Sequence, residues 1–339
     1  MLPYGITFLA ISLSAFLNTK KTKQFSMIIF IFFILFYSLR NNIGSDWSQY
    51  EYYFDNVFDN NIVDRYKYET GYWLLNYMTS NLLGSFRYLV FLVSVFNGIL
   101  FWKATNRYSK NIGIIMLLSL FYLFYPTLEA FRQSITLFLF YYSLEYIEQN
   151  EKKYILLNIV GLLFHRTGIF GLLFFVFNKY KVSKIIIMLL LLLFSLFEPY
   201  FFKIISSISP IFALRYNWYL HMEAIDNSLF SFKTLEYLFI IIFYFIFTKW
   251  KSINVREKLT LNLVLLGFIL QITLGQISNI GYRMTYYTDI GIVFTYTFIY
   301  DKINEPAFKY LYIVALILYI LVRFYRVFPF DDPLFIYSF

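Results

Sequence analysis

The chain has 339 residues, 60% of them hydrophobic and 14% charged, and its mean hydropathy is +0.60. Soluble domains carry roughly 25% charged residues, so the composition excludes a soluble fold and indicates an all-α, polytopic membrane protein. The net charge of +9 sits in short loops rather than on a basic domain, which argues against nucleic acid as a partner, and the absence of cysteine removes disulfides, thiolate nucleophiles and thiolate metal ligands.

Apolar runs of about 17 to 25 residues are candidate spanning helices. In chain order they fall near 3–18, 26–39, 86–102, 111–127, 130–147, 185–202, 235–248, 259–279, 281–300 and 310–328. Two longer polar segments, about 40–85 and 203–233, interrupt them. Within the first, GYWLLNYMTSNLLG (71–84) is too short and polar to span, which predicts a re-entrant or interfacial helix. The stretch from Tyr154 to Phe177 contains His165, Arg166, Thr167 and Gly168 at its middle. As one span it would hold an arginine at the bilayer centre, at a cost of at least ~2.5 kcal/mol. Two short helices, 154–164 and 168–177, meeting at that HRTG turn avoid the penalty, and keep the lysine-bearing loops on either side in one compartment.

Lysine sets the topology. Of 18 Lys, 15 lie in NTKKTKQ, KATNRYSK, EQNEKK, NKYKVSK, KWKSINVREK and DKINEPAFK. These loops all fall on one side, the cytoplasm by the positive-inside rule. Both termini are then expected outside, with about twelve passes if the hairpin counts as two. No repeat or linker divides the chain, and a single domain over 1–339 is expected.

Arginine is distributed differently. Of 11 Arg, only Arg107 and Arg256 lie in those loops, whereas Arg40, Arg65, Arg87, Arg132, Arg166, Arg215, Arg283, Arg323 and Arg326 fall at the outer side. Orientation alone needs only positive charge. Arginine adds a permanent charge on a planar fork that grips phosphate oxygens in pairs. An outer collection of arginines therefore points to a lipid-linked phosphate or diphosphate as ligand.

The candidate site residues follow from this. Arg40 precedes GSDWSQYEYY, where it would contact a phosphate while Asp46 orients or deprotonates a sugar hydroxyl. Tyr50 adds an aromatic face, and Gly44 permits a close backbone approach. The structural alternative is a polar turn with Asp46 as the N-cap of a helix through Tyr50. Glu69, in YETGYWLL, is a substrate-binding candidate or a carboxylate favoured by a helix N-terminus. Arg132, in LEAFRQSITLFLF, faces the interior as a site residue or pairs with Glu129 one turn back. His165 suits general-base work or hydrogen bonding to a diphosphate. Arg283, in YRMTYY, and Arg215, beside Tyr216, Trp218 and Tyr219, are binding candidates or interfacial anchors. No P-loop, dinucleotide fingerprint, HExxH or outer Asp-x-Asp is present, so no cofactor or metal is expected.

Taken together, these segments resemble the Wzy/EpsG-type family of bacterial polysaccharide polymerases, which includes O-antigen polymerases. The resemblance runs from about residue 26 to 300 through Arg40 and GSDWSQYEYYF, Glu69-Thr-Gly-Tyr, Phe131-Arg132-Gln133, FHRTGIF and YRMTYY, in order. FHRTGIF stands in the place of the family's His-x-Ser/Thr turn, with Thr167-Gly168 where relatives often carry Ser-Ala. The Arg215 segment has no counterpart. The resemblance implies transfer of a growing glycan from undecaprenyl diphosphate to the non-reducing sugar of another lipid-linked repeat unit. That reaction would take place at the outer face of the bacterial inner membrane, with membrane lipid around the substrate and a chain-length regulator as the expected protein partner. On that expectation Arg132 and Arg283 hold the donor diphosphate with Arg40 assisting, and Asp46 or His165 takes the acceptor's proton. The rivals are a flippase for the same lipid-linked oligosaccharide, a ligase, and an acyltransferase.

Overall fold

The computed structural model describes residues 2–16, 22–44, 46–58, 68–108, 111–179, 231–247, 253–273 and 278–327. The expected span near 185–202 and the Arg215 segment lie outside the described residues. Among those described, every extended element is helical. In chain order they are α1 (Leu2–Phe16), α2 (Thr22–Ser38), α3 (Trp47–Asp55), α4 (Thr70–Leu83) and α5 (Phe86–Thr105). There follow α6 (Ile112–Tyr122), α7 (Phe124–Glu129), α8 (Phe131–Ser143), α9 (Tyr146–Gln149), α10 (Glu151–Leu162), a 3-10 turn (Arg166–Gly168) and α11 (Ile169–Lys179). The remainder are α12 (Phe232–Phe247), α13 (Val255–Thr273), α14 (Ser278–Lys302) and α15 (Pro306–Val327).

These helices gather into two compact units. The first comprises 1–172 with 296–339 and the second 173–295, so the boundaries fall inside α11 and α14. In the first unit α5 packs on α2 and α8, α6 on α1 and α15, and α10 on α8. In the second, α12 packs on α13.

Among the described residues, two helices, Phe86–Thr105 and Pro306–Tyr325, are long and apolar enough to cross a membrane, and Tyr4–Phe16 and Ile112–Tyr122 are shorter apolar helices. The surface supports the same reading. Large apolar side chains point outward along α1, α2 and α15, with Leu9 at 62%, Ile28 at 63% and Leu318 at 58% exposure. An apolar exterior this extensive suits hydrocarbon rather than water. The interior is stitched with polar contacts: Asn97 Nδ2 donates to Ser134 Oγ at 2.8 Å, Asn158 Nδ2 to Ser143 Oγ at 3.0 Å, and the Tyr122 and Tyr319 hydroxyls meet at 3.1 Å. Such bonds hold helices together where lipid and core are equally apolar.

Local chemistry explains the boundaries. Gly84 ends α4 in the left-handed conformation (φ +68°), its amide donating to Ser80 O at 3.1 Å, and Ser85 at once caps α5 by accepting from the Arg87 amide. The run 111–127, expected as one span, breaks after Tyr122. Pro126 has no amide to offer the Tyr122 carbonyl, and a short α7 takes over. Tyr154 to Phe177 is interrupted at residues 163–168, where a continuous helix would have carried Arg166 through its middle. The chain doubles back, since Tyr154 Oη donates to the Gly171 carbonyl at 2.7 Å although seventeen residues separate them. In a straight helix they would lie about 25 Å apart.

Candidate functional site

The reversal at 163–168 delivers its tip to the start of α4. A helix leaves its first amides and last carbonyls unpaired, and here one end supplies the other. The Leu163 carbonyl, just past α10, accepts from the Gly71 amide at 2.7 Å and the Tyr72 amide at 3.3 Å. A Cβ at position 71 would stand 2.7 Å from that oxygen, so only glycine fits.

Glu69 is fixed at this junction. It occupies the N-cap position of α4 but makes no side-chain cap bond. Its carboxylate instead reaches across to α8, where Oε2 accepts from Arg132 Nη1, while Oε1 accepts from the Arg166 main-chain amide at 3.0 Å. The Arg166 guanidinium adds a looser contact at 3.8 Å. Glu69 thus ties three separate segments together. Sequence spacing offers Glu129 as the local alternative for Arg132, and the carboxylate that bonds it in the fold is Glu69, 63 positions away.

Aromatic rings enclose the pair. The Arg132 guanidinium stands 4.2 Å from the Tyr68 ring centre and 5.7 Å from that of Tyr72. Tyr50 and Tyr53, on α3, pack around them: Tyr50 lies 6.0 Å from Tyr72 and 5.8 Å from Phe131, and Tyr53 stacks on Tyr72. Cation–ring contacts supply attraction without consuming a hydrogen bond. Two buried polar atoms here have no partner, Arg132 Nε and the Tyr72 hydroxyl. Burial pushes the Tyr72 phenol well up from its ordinary value, with neighbouring Tyr50 adding to the effect against the pull of Arg132. Tyr72 is therefore a neutral donor.

His165 caps the 3-10 turn. Its Nδ1 accepts from the Thr167 amide at 3.2 Å and lies 2.7 Å from Thr167 Oγ1. With Nδ1 accepting, the proton of the neutral ring resides on Nε2, which is then a donor. The sequence leaves His165 open between base and diphosphate ligand, and in the fold its Nδ1 is engaged by Thr167.

Arg40 and Asp46 adjoin the cluster on another side. Arg40 is 4% exposed; its Nη1 donates to the Thr127 carbonyl at 3.2 Å, and its guanidinium packs 5.8 Å from the Trp47 ring and 5.5 Å from Phe131. It lines a cavity of about 20 Å³, shared with Ser94, Asn97 and Ser134, which is room for one water. Asp46 occupies the N-cap position of α3, yet its side chain makes no cap bond. Gly44 (φ +104°) does allow a close approach, and the group that approaches is the Leu128 carbonyl, 2.7 Å from where a Cβ would sit.

Arg283 belongs to the second unit, on the second turn of α14. That unit holds a charged pair the sequence reading passed over. Lys233 Nζ donates to Asp289 Oδ2 at 3.0 Å and Thr285 Oγ1 at 2.8 Å, and Tyr237 Oη donates to Asp289 Oδ1 at 3.0 Å. A signal existed: Lys233 is one of three lysines outside the cytoplasmic loops, and Asp289 interrupts the apolar run 281–300. Of the expected residues, then, the structure brings Glu69, Arg132, His165 and Tyr50 together, with Arg40 and Asp46 beside them. Arg166, Tyr68, Tyr72 and Tyr53 are additions. No group of histidine and carboxylate side chains among the described residues could hold a metal ion.

Arginine, carboxylate and histidine thus meet where α4, α8 and the 163–168 turn join. Residues 23–339 match the model of the EpsG family, and the chain belongs to that family, a Wzy-type group with a polysaccharide polymerase-like role. Comparison with curated proteins and with solved structures finds no match.

Proposed function

We propose that this protein is a surface-polysaccharide polymerase. It transfers a growing glycan from undecaprenyl diphosphate to the non-reducing sugar of another lipid-linked repeat unit, at the outer face of the bacterial inner membrane. The observation that carries this reading is Arg132, ringed by tyrosines, with an unpartnered Nε and, among the described residues, a single carboxylate bonded to it. The donor is already activated, so the protein must stabilise charge on the leaving diphosphate, which arginines accomplish without a metal. Within the first unit, Arg132 and His165 Nε2 contact that diphosphate and Tyr50 contacts sugar. Arg40 assists by bracing the ends of α2 and α7. The proton acceptor is a carboxylate.

Gel analysis of surface glycan in a deletion strain, with lipid-linked intermediates extracted in parallel, tests the reading. Loss of the ladder with a single repeat unit still at the surface is the expected result. Single repeats trapped facing the cytoplasm would make the protein a flippase instead, and polymer retained on undecaprenyl diphosphate would make it a ligase.

A further inference from the structure

The geometry points to Glu69 as the proton acceptor of the transfer, held in the resting site as the anion that the donor diphosphate displaces from Arg132. This rests on the polymerase reading above and assigns a step within it. Glu69 is the carboxylate that touches the arginine proposed to grip the leaving group. Its two oxygens are held by unlike partners. Oε2 is bound by a side chain, Arg132 Nη1, and Oε1 by a main-chain amide, that of Arg166, in the 3-10 turn. A diphosphate, with more charge and more oxygens than a carboxylate, competes for the guanidinium and takes it. The exchange releases Oε2 alone. The Arg166 amide keeps Glu69 in place, so the released oxygen stays beside the bound donor with an unshared lone pair.

The step balances. The acceptor hydroxyl gives its proton to Glu69 Oε2, and its oxygen forms a bond to the anomeric carbon of the donor sugar. The bond from that carbon to the diphosphate oxygen breaks, and the electron pair leaves with the diphosphate, whose charge Arg132 holds. His165 fits this scheme as a donor to the diphosphate, because its Nδ1 is engaged by Thr167.

An arginine that merely needs Glu69 for orientation and an arginine that Glu69 occupies predict opposite binding results. The experiment uses the purified full chain in nanodiscs and undecaprenyl diphosphate, without glycan, as the probe. Glu69→Gln should bind the probe roughly tenfold more tightly than the parent, while polymer formation falls by at least about a hundredfold. Glu69→Asp keeps the carboxylate but shortens its reach to Arg132. It should also bind more tightly and retain part of the polymer, which keeps the test decisive if the glutamine variant does not accumulate. Weaker or unchanged binding in both variants would make Glu69 a positioning residue for Arg132. Polymer retained in Glu69→Gln would remove it as proton acceptor. No binding of the probe by the parent would overturn the diphosphate reading of the site itself, a result separate from either.

Discussion

Two ion pairs, one in each unit, show how differently a membrane protein can keep a buried charge. Lys233 and Asp289 are complete. One Asp289 oxygen takes Lys233 and the other takes Tyr237, Lys233 is also bonded to Thr285, and Tyr237 meets the Thr288 hydroxyl at 2.9 Å. Glu69 and Arg132 are incomplete. Glu69 has a partner on each oxygen, but the Arg132 Nε and the Tyr72 hydroxyl beside it have none. A saturated pair fastens helices, since removing either member strands the other. A pair left with spare donors has bonding capacity for another anion, which is the role proposed for Arg132. On that proposal, the count of bonds is what distinguishes the two pairs, since charge and burial do not.

Substitution at Arg132 should give the largest effect on this comparison. Arg132→Ala is expected to lower polymer about a hundred- to a thousandfold at unchanged protein level, read from the glycan ladder and an immunoblot. Arg132→Lys should not restore it, because a point charge cannot replace the fork. Full polymer with lysine would mean that charge alone is used there. Next comes the fastening. Asp289→Ala strands Lys233 and should cost about 3–5 kcal/mol, seen as a collapse in abundance and in thermal stability of the solubilised protein. Asp289→Leu combined with Lys233→Met should recover both, along with the polymer. If Asp289→Ala instead accumulated normally and made no polymer, the second pair would be a site and the contrast would dissolve.

Arg40 gives a smaller and sharper test. Arg40→Gln removes a charge-assisted bond to the Thr127 carbonyl, worth about 1.5–3 kcal/mol, and polymer should fall only in step with stability. Loss of polymer at full stability would place Arg40 on the diphosphate. Tyr72→Phe should do least. Deleting a buried hydroxyl that has no partner costs no stability, while donor binding should weaken several-fold through one lost hydrogen bond of about 0.5–1.5 kcal/mol, measured with the same undecaprenyl diphosphate probe.

Much of the fold was legible because it follows from local energetics. Arg166 could not sit at mid-span, so the chain had to turn there, and it does. Gly84-Ser85 ends one helix and starts the next by backbone conformation and capping alone. Pro126 announced the break after Tyr122, and the expectation of one span over 111–127 set hydropathy above a missing amide. The sequence names several residues that meet at the α4–α8 junction, and not their pairings. Sequence spacing offers Arg132 the Glu129 one turn away, whereas α4, α8 and the 163–168 turn must pack before Glu69 can reach it. Asp46 was expected as a cap or as a base. It stands at the cap position without a side-chain cap bond, because helix position is local and side-chain direction is not.

The junction at the Leu163 carbonyl also decides where the molecule reports its own opening. Two amides near the start of α4, those of Gly71 and Tyr72, are bonded to an oxygen beyond the end of α10 rather than within their own helix. Their exchange with deuterium is therefore governed by separation of the turn from α4, not by fraying of α4. A donor that seats itself against Arg132 and the 163–168 tip should slow exchange at these two positions while leaving the middle of α4 unaltered. A pair of protons on one helix thus serves as a clock for another.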